Sequence, residues 1–300
     1  MIGAPSWYLW DAGFAALGRS EGIVPPHAHH ALKIVVVVEG SVGISDGRGE
    51  WRMARSFIVR PDVVHAYNGN GAAGATIFID PESAEGVWLQ ASVRDDITLV
   101  PDGRIEKCEP ELRKFLAHPL DSLEIGTLIR HCVHALCAGA PAARRRDERL
   151  TRVFAAIHAS EELRMSIEDA AALAFLSPSR FSHLFKQQVG LSFKRYMLWR
   201  KLARAIVMIG RERTLATAAH AADFADAAHL TRTFYLMFGR PPSVMMRGEF
   251  FEISSPFDWP STASRADSRF IQENRRRRSI PSPWPPATLT NVSGSPATAN

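Results

Sequence analysis

Three cysteines in 300 residues are too few and too scattered to staple a fold. Cys108, Cys132 and Cys137 are odd in number and lack a metal-binding spacing, so they read as buried thiols in a reducing cytoplasm. No apolar run approaches the roughly 20 residues that cross a bilayer, so no membrane partner is expected. The N-terminus lacks a basic segment followed by an apolar stretch and a small-residue cleavage site, and a cytoplasmic location is expected. Charge is unevenly divided along the chain. Residues 144–250 carry 18 basic and 10 acidic side chains, against 12 and 17 in residues 1–143 and 6 and 4 in residues 251–300. The net charge of +5 therefore conceals regions of −5, +8 and +2. A basic excess concentrated in residues 144–250 suits a surface that faces phosphates. Apolar content of 46% can build ordinary cores, and the length suggests two domains and a tail.

The basic region is also the region that repeats. Ser166–Gly190 and Thr214–Gly239 read alike at an offset of 49, which sets Ala170 on Ala219, Phe175 on Phe224, Phe181 on Leu230, Phe185 on Phe234 and Gly190 on Gly239. Each copy has a short Ala-rich helix, a polar turn, then a helix with apolar residues at i, i+3 and i+4 and a closing glycine. That outline fits a helix-turn-helix, whose second helix can enter a DNA major groove, and equally a pair of αα-hairpins in a bundle. The residues themselves go further. Ala170, Ala174, Ser177, Phe181, Ser182, Leu184, Phe185, Lys186 and Gly190 form one set. Phe224, Asp226, Leu230, Thr231, Arg232, Phe234, Gly239, Pro241 and Pro242 form the second. Together, over about a hundred residues, they resemble the DNA-binding domain of the AraC/XylS family of bacterial transcription regulators. The chain departs from that pattern at Asp223, where a Gly is usual, and at Tyr235, where a Lys is usual. Asp tolerates a left-handed turn better than most residues, so the first departure is structurally mild.

Leu150–Glu162 has an amphipathic pattern, Ser166 with Asp169 approximates a capping box, and Ser177-Pro178 opens the first reading helix. Phe181, Leu184 and Phe185 point inward there, leaving Ser179, Arg180, Ser182, His183 and Lys186 to face DNA. Arg pairs bidentately with guanine, while Ser and His bond bases or phosphates. In the second copy Asp226 is the cap and Ala227, Ala228, His229, Thr231 and Arg232 are outward, so base reading there falls mainly to Arg232. Ser192–Ile209 between them is a helical rod of roughly 27 Å at 1.5 Å per residue. Such a rod could hold two heads about one DNA turn, roughly 34 Å, apart. Lys194, Arg195, Arg200, Lys201 and Arg204 lie on or near it, some as phosphate contacts and some as solvated charges.

The N-terminal region reads as short strands: Ile34–Val38, Val42–Ser45, Trp51–Met53, Ser56–Val59 and Ala75–Ile79, separated by Glu39-Gly40 and Asp46-Gly47 turns. This spacing predicts a small antiparallel barrel or jelly roll. The order His-x-His, strand, Glu-Gly, strand, Asp-Gly, strand, Arg-Pro-x(3)-His-x-Tyr resembles the cupin barrel that such regulators carry as a sensor. Metal-binding cupins resembling this pattern place a Glu where Lys33 or Ile34 stands here. His27, His29, His30 and His65 are therefore read as polar lining of the barrel mouth, and no metal or cofactor is expected. His29, Lys33, His65 and Tyr67 are the candidate effector contacts, since barrel mouths bind small ligands. A lysine there suits an anionic or carbonyl-bearing molecule.

Pro110–Ala138 has helical spacing, and either covers the barrel or pairs two copies of the chain. Ala138–Arg146, AGAPAARRR, reads as a linker. The expected fold is α+β and multidomain: a cupin-like antiparallel β-barrel over 1–105, helices and linker over 106–143, and an all-α domain with two helix-turn-helix motifs over 144–250. Residues 251–300, with the Arg275–Arg278 run, read as a disordered tail. The resemblance implies a regulator that binds double-stranded DNA and a small-molecule effector, with RNA polymerase and a second copy of itself as protein partners. The alternative from another class is a metal-dependent cupin enzyme fused to a helical domain.

Overall fold

The computed structural model describes residues 5–20, 22–118, 120–136, 147–160 and 162–256. Cys137, the Ala138–Arg146 linker and the Arg275–Arg278 run lie outside them. In the N-terminal half the strands are β1 (Ser6–Trp10), β2 (Gly13–Arg19), β3 (Ile23–His27), β4 (Leu32–Glu39) and β5 (Val42–Ser45). They continue as β6 (Trp51–Ala54), β7 (Ser56–Val59), β8 (His65–Asn68) and β9 (Ala73–Ile79). Then come α1 (Ala84–Ser92), β10 (Ile97–Leu99), α2 (Asp102–Ile105), α3 (Glu109–Ala117) and α4 (Ser122–Leu136). The helical half comprises α5 (Glu148–Ala159), α6 (Ile167–Leu173), α7 (Pro178–Val189) and α8 (Phe193–Glu212). It closes with α9 (Leu215–Ala221), α10 (Ala227–Phe238), α11 (Ser243–Met246) and one more strand, β11 (Phe250–Glu252).

The β domain is two sheets, in the orders β10-β7-β4-β9-β2-β1-β11 and β3-β8-β5-β6, whose ladders do not join into a closed cylinder. β4 shows why the sequence reads as an unbroken apolar run. Side chains alternate along a strand, and here both faces are covered. Val35 and Val37 pack with Val24, Ile44 and Tyr67 of the smaller sheet. Ile34, Val36 and Val38 pack with Leu89, Ile105, Leu112 and Ile129 of the covering helices. The apolar side of α4 is thus turned onto the sheet, with Ile125, Leu128, Cys132 and Val133 fully buried. Cys108 and Cys132 are buried free thiols.

The helical half obeys its local signals. Ser166 and Asp169 form a reciprocal capping box, Ser177 caps α7 ahead of Pro178, and Asp226 caps α10. Gly190 and Gly239 close the two reading helices at φ 88 and 65, a conformation favourable for a residue without Cβ. The rod α8 runs 20 residues to Glu212, beyond the expected end at Ile209, and stops at a left-handed Arg213.

Two expected correspondences are corrected, Ala170 with Ala219 and Phe175 with Phe224. The first helices of the two copies are offset by 48, not 49: Ser166 corresponds to Thr214, and Leu176 N–H bonds Ala171 O as Phe224 N–H bonds Ala219 O. Phe175 therefore matches Asp223, both left-handed at φ 55 and 60. Phe224 is buried, whereas Phe175 is 81% exposed, with the Arg152 guanidinium 5.1 Å from its ring. The second turn is one residue longer, so only the second helices keep the offset of 49. Past residue 250 the chain returns to the β domain: β11 pairs in parallel with β1, and Ile253 joins the β-domain core.

Candidate DNA-reading helices and the cavity beneath them

On α7, Phe181 and Phe185 are buried and hold the helix to its neighbours. Ser179, Arg180, His183 and Lys186 are exposed and Ser182 is half-buried. On α10, Leu230, Thr233 and Phe234 are buried. Ala228 and Arg232 are exposed, while Ala227, His229 and Thr231 are half-buried. Two of these have occupations within the protein. Thr231 Oγ1 donates to Ala227 O at 2.7 Å, and the His229 ring meets Phe224 edge-on at 5.1 Å. Tyr235 and Leu236, 49% and 74% exposed, extend the free face of α10 and were not among the expected contacts.

The basic residues of the rod divide. Lys194 and Arg195 are exposed. Lys201 donates to Asp223 at 2.6 Å, and Arg164 reaches the same carboxylate at 2.7 Å. These partners hold the Asp223 carboxyl below its usual range, Lys201 most strongly. Asp223 thus ties the α5–α6 loop, the rod and the turn of the second copy together, a role a glycine could not fill. Arg200 turns to the β domain and pairs with Asp80 at 2.8 Å. Nearby His30 sits between Asp62 at 2.7 Å and Glu82 at 3.0 Å, its ring edge-on to Tyr196 and Trp199 of the rod. Burial alone would lower the His30 pKa, but the two carboxylates outweigh it and raise it to about 10.

The two halves also share an apolar core, in which Leu9, Phe14 and Phe78 of the β domain meet Trp199, Leu230 and Phe234. Between them lies a cavity of about 670 Å³. Trp7, Phe14, Lys33, Tyr67 and Phe78 line it from the β domain, Phe234 and Phe238 from the second copy, and Arg240 and Met245 from the segment that follows it. Among the expected effector contacts, Lys33 and Tyr67 therefore face the cavity; His29 and His65 lie behind its wall. The Lys33 ammonium is 4.5 Å from the Tyr67 ring centroid and 3.3 Å from His65 Nε2. Burial, then Arg240, lowers its pKa to about 7.

Beneath Lys33, His27, His29 and His65 are buried together, with one ring nitrogen of each within 4.8 Å of the others. Their Nδ1 atoms lie 2.8, 3.1 and 3.0 Å from the carbonyls of Pro25, Ala31 and Val63. A carbonyl only accepts, so each Nδ1 carries the hydrogen and each Nε2 keeps a lone pair. Burial, followed by Lys33, pushes all three pKa values down, that of His27 to about 4. The His29 Nε2 has no hydrogen-bond partner. The sequence supplied the histidines but not this common orientation, which depends on three backbone carbonyls.

Residues 170–248 match the sequence family described as a helix-turn-helix domain. A relative, the probable transcriptional regulator LumQ of Photobacterium leiognathi, is 29% identical over 107 residues, 35% of this chain. The match spans 42% of that protein, less than half its length. Over 79% of this chain the fold is similar to ToxT of Vibrio cholerae: an apo form of a single-residue variant superimposes with a TM-score of 0.56 at 8% identity, covering 98% of that chain. A ToxT structure bound to (E)-4-(8-methylnaphthalen-1-yl)but-3-enoic acid gives a TM-score of 0.51 at 8% identity and covers 99% of that chain. Among the described residues no helix is long and apolar enough to cross a membrane.

Proposed function

We propose that this chain, whose residues 170–248 match a helix-turn-helix domain, is an AraC-type, sequence-specific transcription regulator whose β domain senses a small molecule. Base reading is assigned to Ser179, Arg180, Ser182, His183 and Lys186 of the first head and, in the second, mainly to Arg232 and Ala228, with Ala227, His229 and Thr231 beside them. The observation that carries the sensing reading is the cavity walled by both the β domain and the second head. Its lining specifies the effector. Trp7, Phe14, Phe78 and Phe238 offer an apolar bed, and Lys33 with Arg240 offers paired cations. An amphipathic carboxylate answers both, and a molecule of that class is bound in the second ToxT structure. His29 and His65, behind the wall, act through Lys33 rather than by touching the effector. The β domain binds without turnover. A second copy of the chain and RNA polymerase are assigned as protein partners.

The test is fluorescence anisotropy of full-length protein on promoter-pool DNA, with and without an aromatic carboxylate. DNA affinity that falls steeply with salt, and a Kd shifted fivefold or more by the carboxylate, are expected. No DNA binding at low salt overturns the regulator. DNA binding that no carboxylate alters, with no carboxylate retained by the protein, overturns the effector class.

A further inference from the structure

We infer that Lys33 is a covalent capture site, whose amine condenses with an apolar aldehyde in the cavity to form an imine. The inference rests on the reading of that cavity as a ligand site and not on the carboxylate class. Lys33 stands mid-strand on β4, paired with Val59 of β7 and Phe78 of β9, so its stem rises from the interior of the larger sheet. It lines the cavity, yet is only 4% exposed. Among the described residues no carboxylate pairs with it. Its hydrogen-bond partner is His65 Nε2 at 3.3 Å, and Arg240 sets a second cation nearby. A buried ammonium without a counter-ion favours its neutral form, and the neutral amine is the nucleophile. The other lysines are unlike it: Lys107, Lys114, Lys186 and Lys194 are exposed, and Lys201 is paired with Asp223.

The step balances without a further reagent. The amine lone pair attacks the carbonyl carbon, a C–N bond forms, and the carbonyl oxygen takes up a proton to give a carbinolamine. Loss of that hydroxyl as water leaves a C=N bond, so one aldehyde and one amine give one imine and one water. His65 is the proton carrier at hand. Its Nδ1–H is bound to Val63 O, so Nε2 presents a lone pair to the Lys33 nitrogen, takes the proton that attack releases and returns it to the departing oxygen. The groups facing Lys33 add no anion. His27, His29 and His65 are neutral imidazoles, and the Tyr67 hydroxyl donates to Ser20 Oγ. The Tyr67, Phe57 and Phe78 ring centroids lie 4.5, 5.9 and 6.0 Å from the nitrogen, and these faces also favour the charge of a protonated imine. Trp7, Phe14, Phe78 and Phe238 receive the apolar body of the aldehyde.

The probe is 1-naphthaldehyde, incubated with full-length protein at pH 7, trapped by borohydride reduction and read by mass spectrometry. Peptide mapping should place one reduced imine on Lys33, at about tenfold or more the level on Lys186 and Lys194. An amine titrating near 7 has a neutral fraction at that pH roughly a thousandfold larger than a lysine titrating near 10.5. Between about pH 6 and 9, labelling at Lys33 should rise and level off just above 7, while the exposed lysines climb about tenfold per unit throughout. Lys33→Met, which keeps the stem, should lose the selective adduct. Labelling of Lys33 no greater than that of Lys186 and Lys194, or climbing in parallel with theirs, overturns the proposal. So does a selective adduct that survives in Lys33→Met. Thermal melting checks the fold of that variant, and if it does not fold, the wild-type map decides alone. 1-Naphthoic acid is the companion ligand. Its retention by a protein whose Lys33 stays unlabelled by the aldehyde overturns the imine alone and keeps the cavity as a ligand site.

Discussion

The two helix-turn-helix copies are built to one pattern yet supported differently. The first has a core of its own, in which Phe154, Phe181, Phe185, Phe193 and Tyr196 form a cluster of tilted and edge-on rings. The second shares its core with the β domain. Phe238 at its end contacts Phe14, Phe78, His29 and Trp199. A sensor can alter a reading head only through what that head leans on. Here the cavity proposed to take the effector is walled by the second head and not by the first.

The strongest attack on this contrast is on the two cores. Phe185→Ala should cost about 3–5 kcal/mol, as large-to-small changes in a closed core do. It should unfold the first head while leaving carboxylate affinity unchanged. Phe238→Ala, half-buried, should cost less and shift that affinity. Urea denaturation with ligand titration reads both, and equal effects on affinity would mean the copies are not mechanically separate.

Base preference is the next test. Arg180→Ala should cost about 1–3 kcal/mol at one operator position, and Arg232→Ala the same in the other half-site. Lys194→Ala on the rod should weaken all sequences alike. Selection from a random DNA pool separates these, and unchanged preferences in both arginine variants would show that the faces do not read bases.

The effector's hold on the second head should depend on pH. Lys33 loses its charge as pH rises through about 7, so affinity for a carboxylate should fall above that point, by at most about tenfold per unit. Calorimetric titration from pH 6 to 8.5 checks this, and a flat profile would remove Lys33 from the contact. The unliganded protein should respond oppositely. The unfolded chain keeps the Lys33 proton to about 10.5, so the folded state gains stability as pH rises from 7.

The smallest effect sharpens the contrast most finely. Gly190→Ala and Gly239→Ala both strain a left-handed closure, for about 1 kcal/mol. A Cβ at Gly190 meets only Asp62 at 3.9 Å, but one at Gly239 would lie 2.6 Å from Val24. The second variant should melt lower and alter carboxylate affinity; matching melting curves would refute the close approach.

What the sequence revealed was what is decided locally. Caps at Ser166, Ser177 and Asp226 need only neighbouring residues, and the β4 run is apolar because both its faces are covered. The register of the copies was misread because Phe175 and Phe224 are the same residue type. Nothing in the sequence marks Phe175 as a left-handed residue facing solvent. β1 and β2 escaped notice because Trp, Ala and Gly interrupt their alternation, and β11 because three residues carry no period. The cavity was half legible. Lys33 and Tyr67 were identified, but Phe238 and Arg240 reach it from about two hundred positions along the chain.

The late position of β11 has a consequence for the timing of synthesis. The first strand of the chain finds its parallel neighbour only after the DNA-reading helices have been made. At translation rates of roughly 5–20 residues per second, on the order of 10–50 s separates the two strands. Through that interval β1 presents an open ladder edge, which natural sheets otherwise guard against. The cavity meanwhile lacks the wall that Phe234 and Phe238 supply. On the sensing function proposed above, a nascent β domain cannot grip an effector until the whole reader is in place, so effector capture would report a finished molecule.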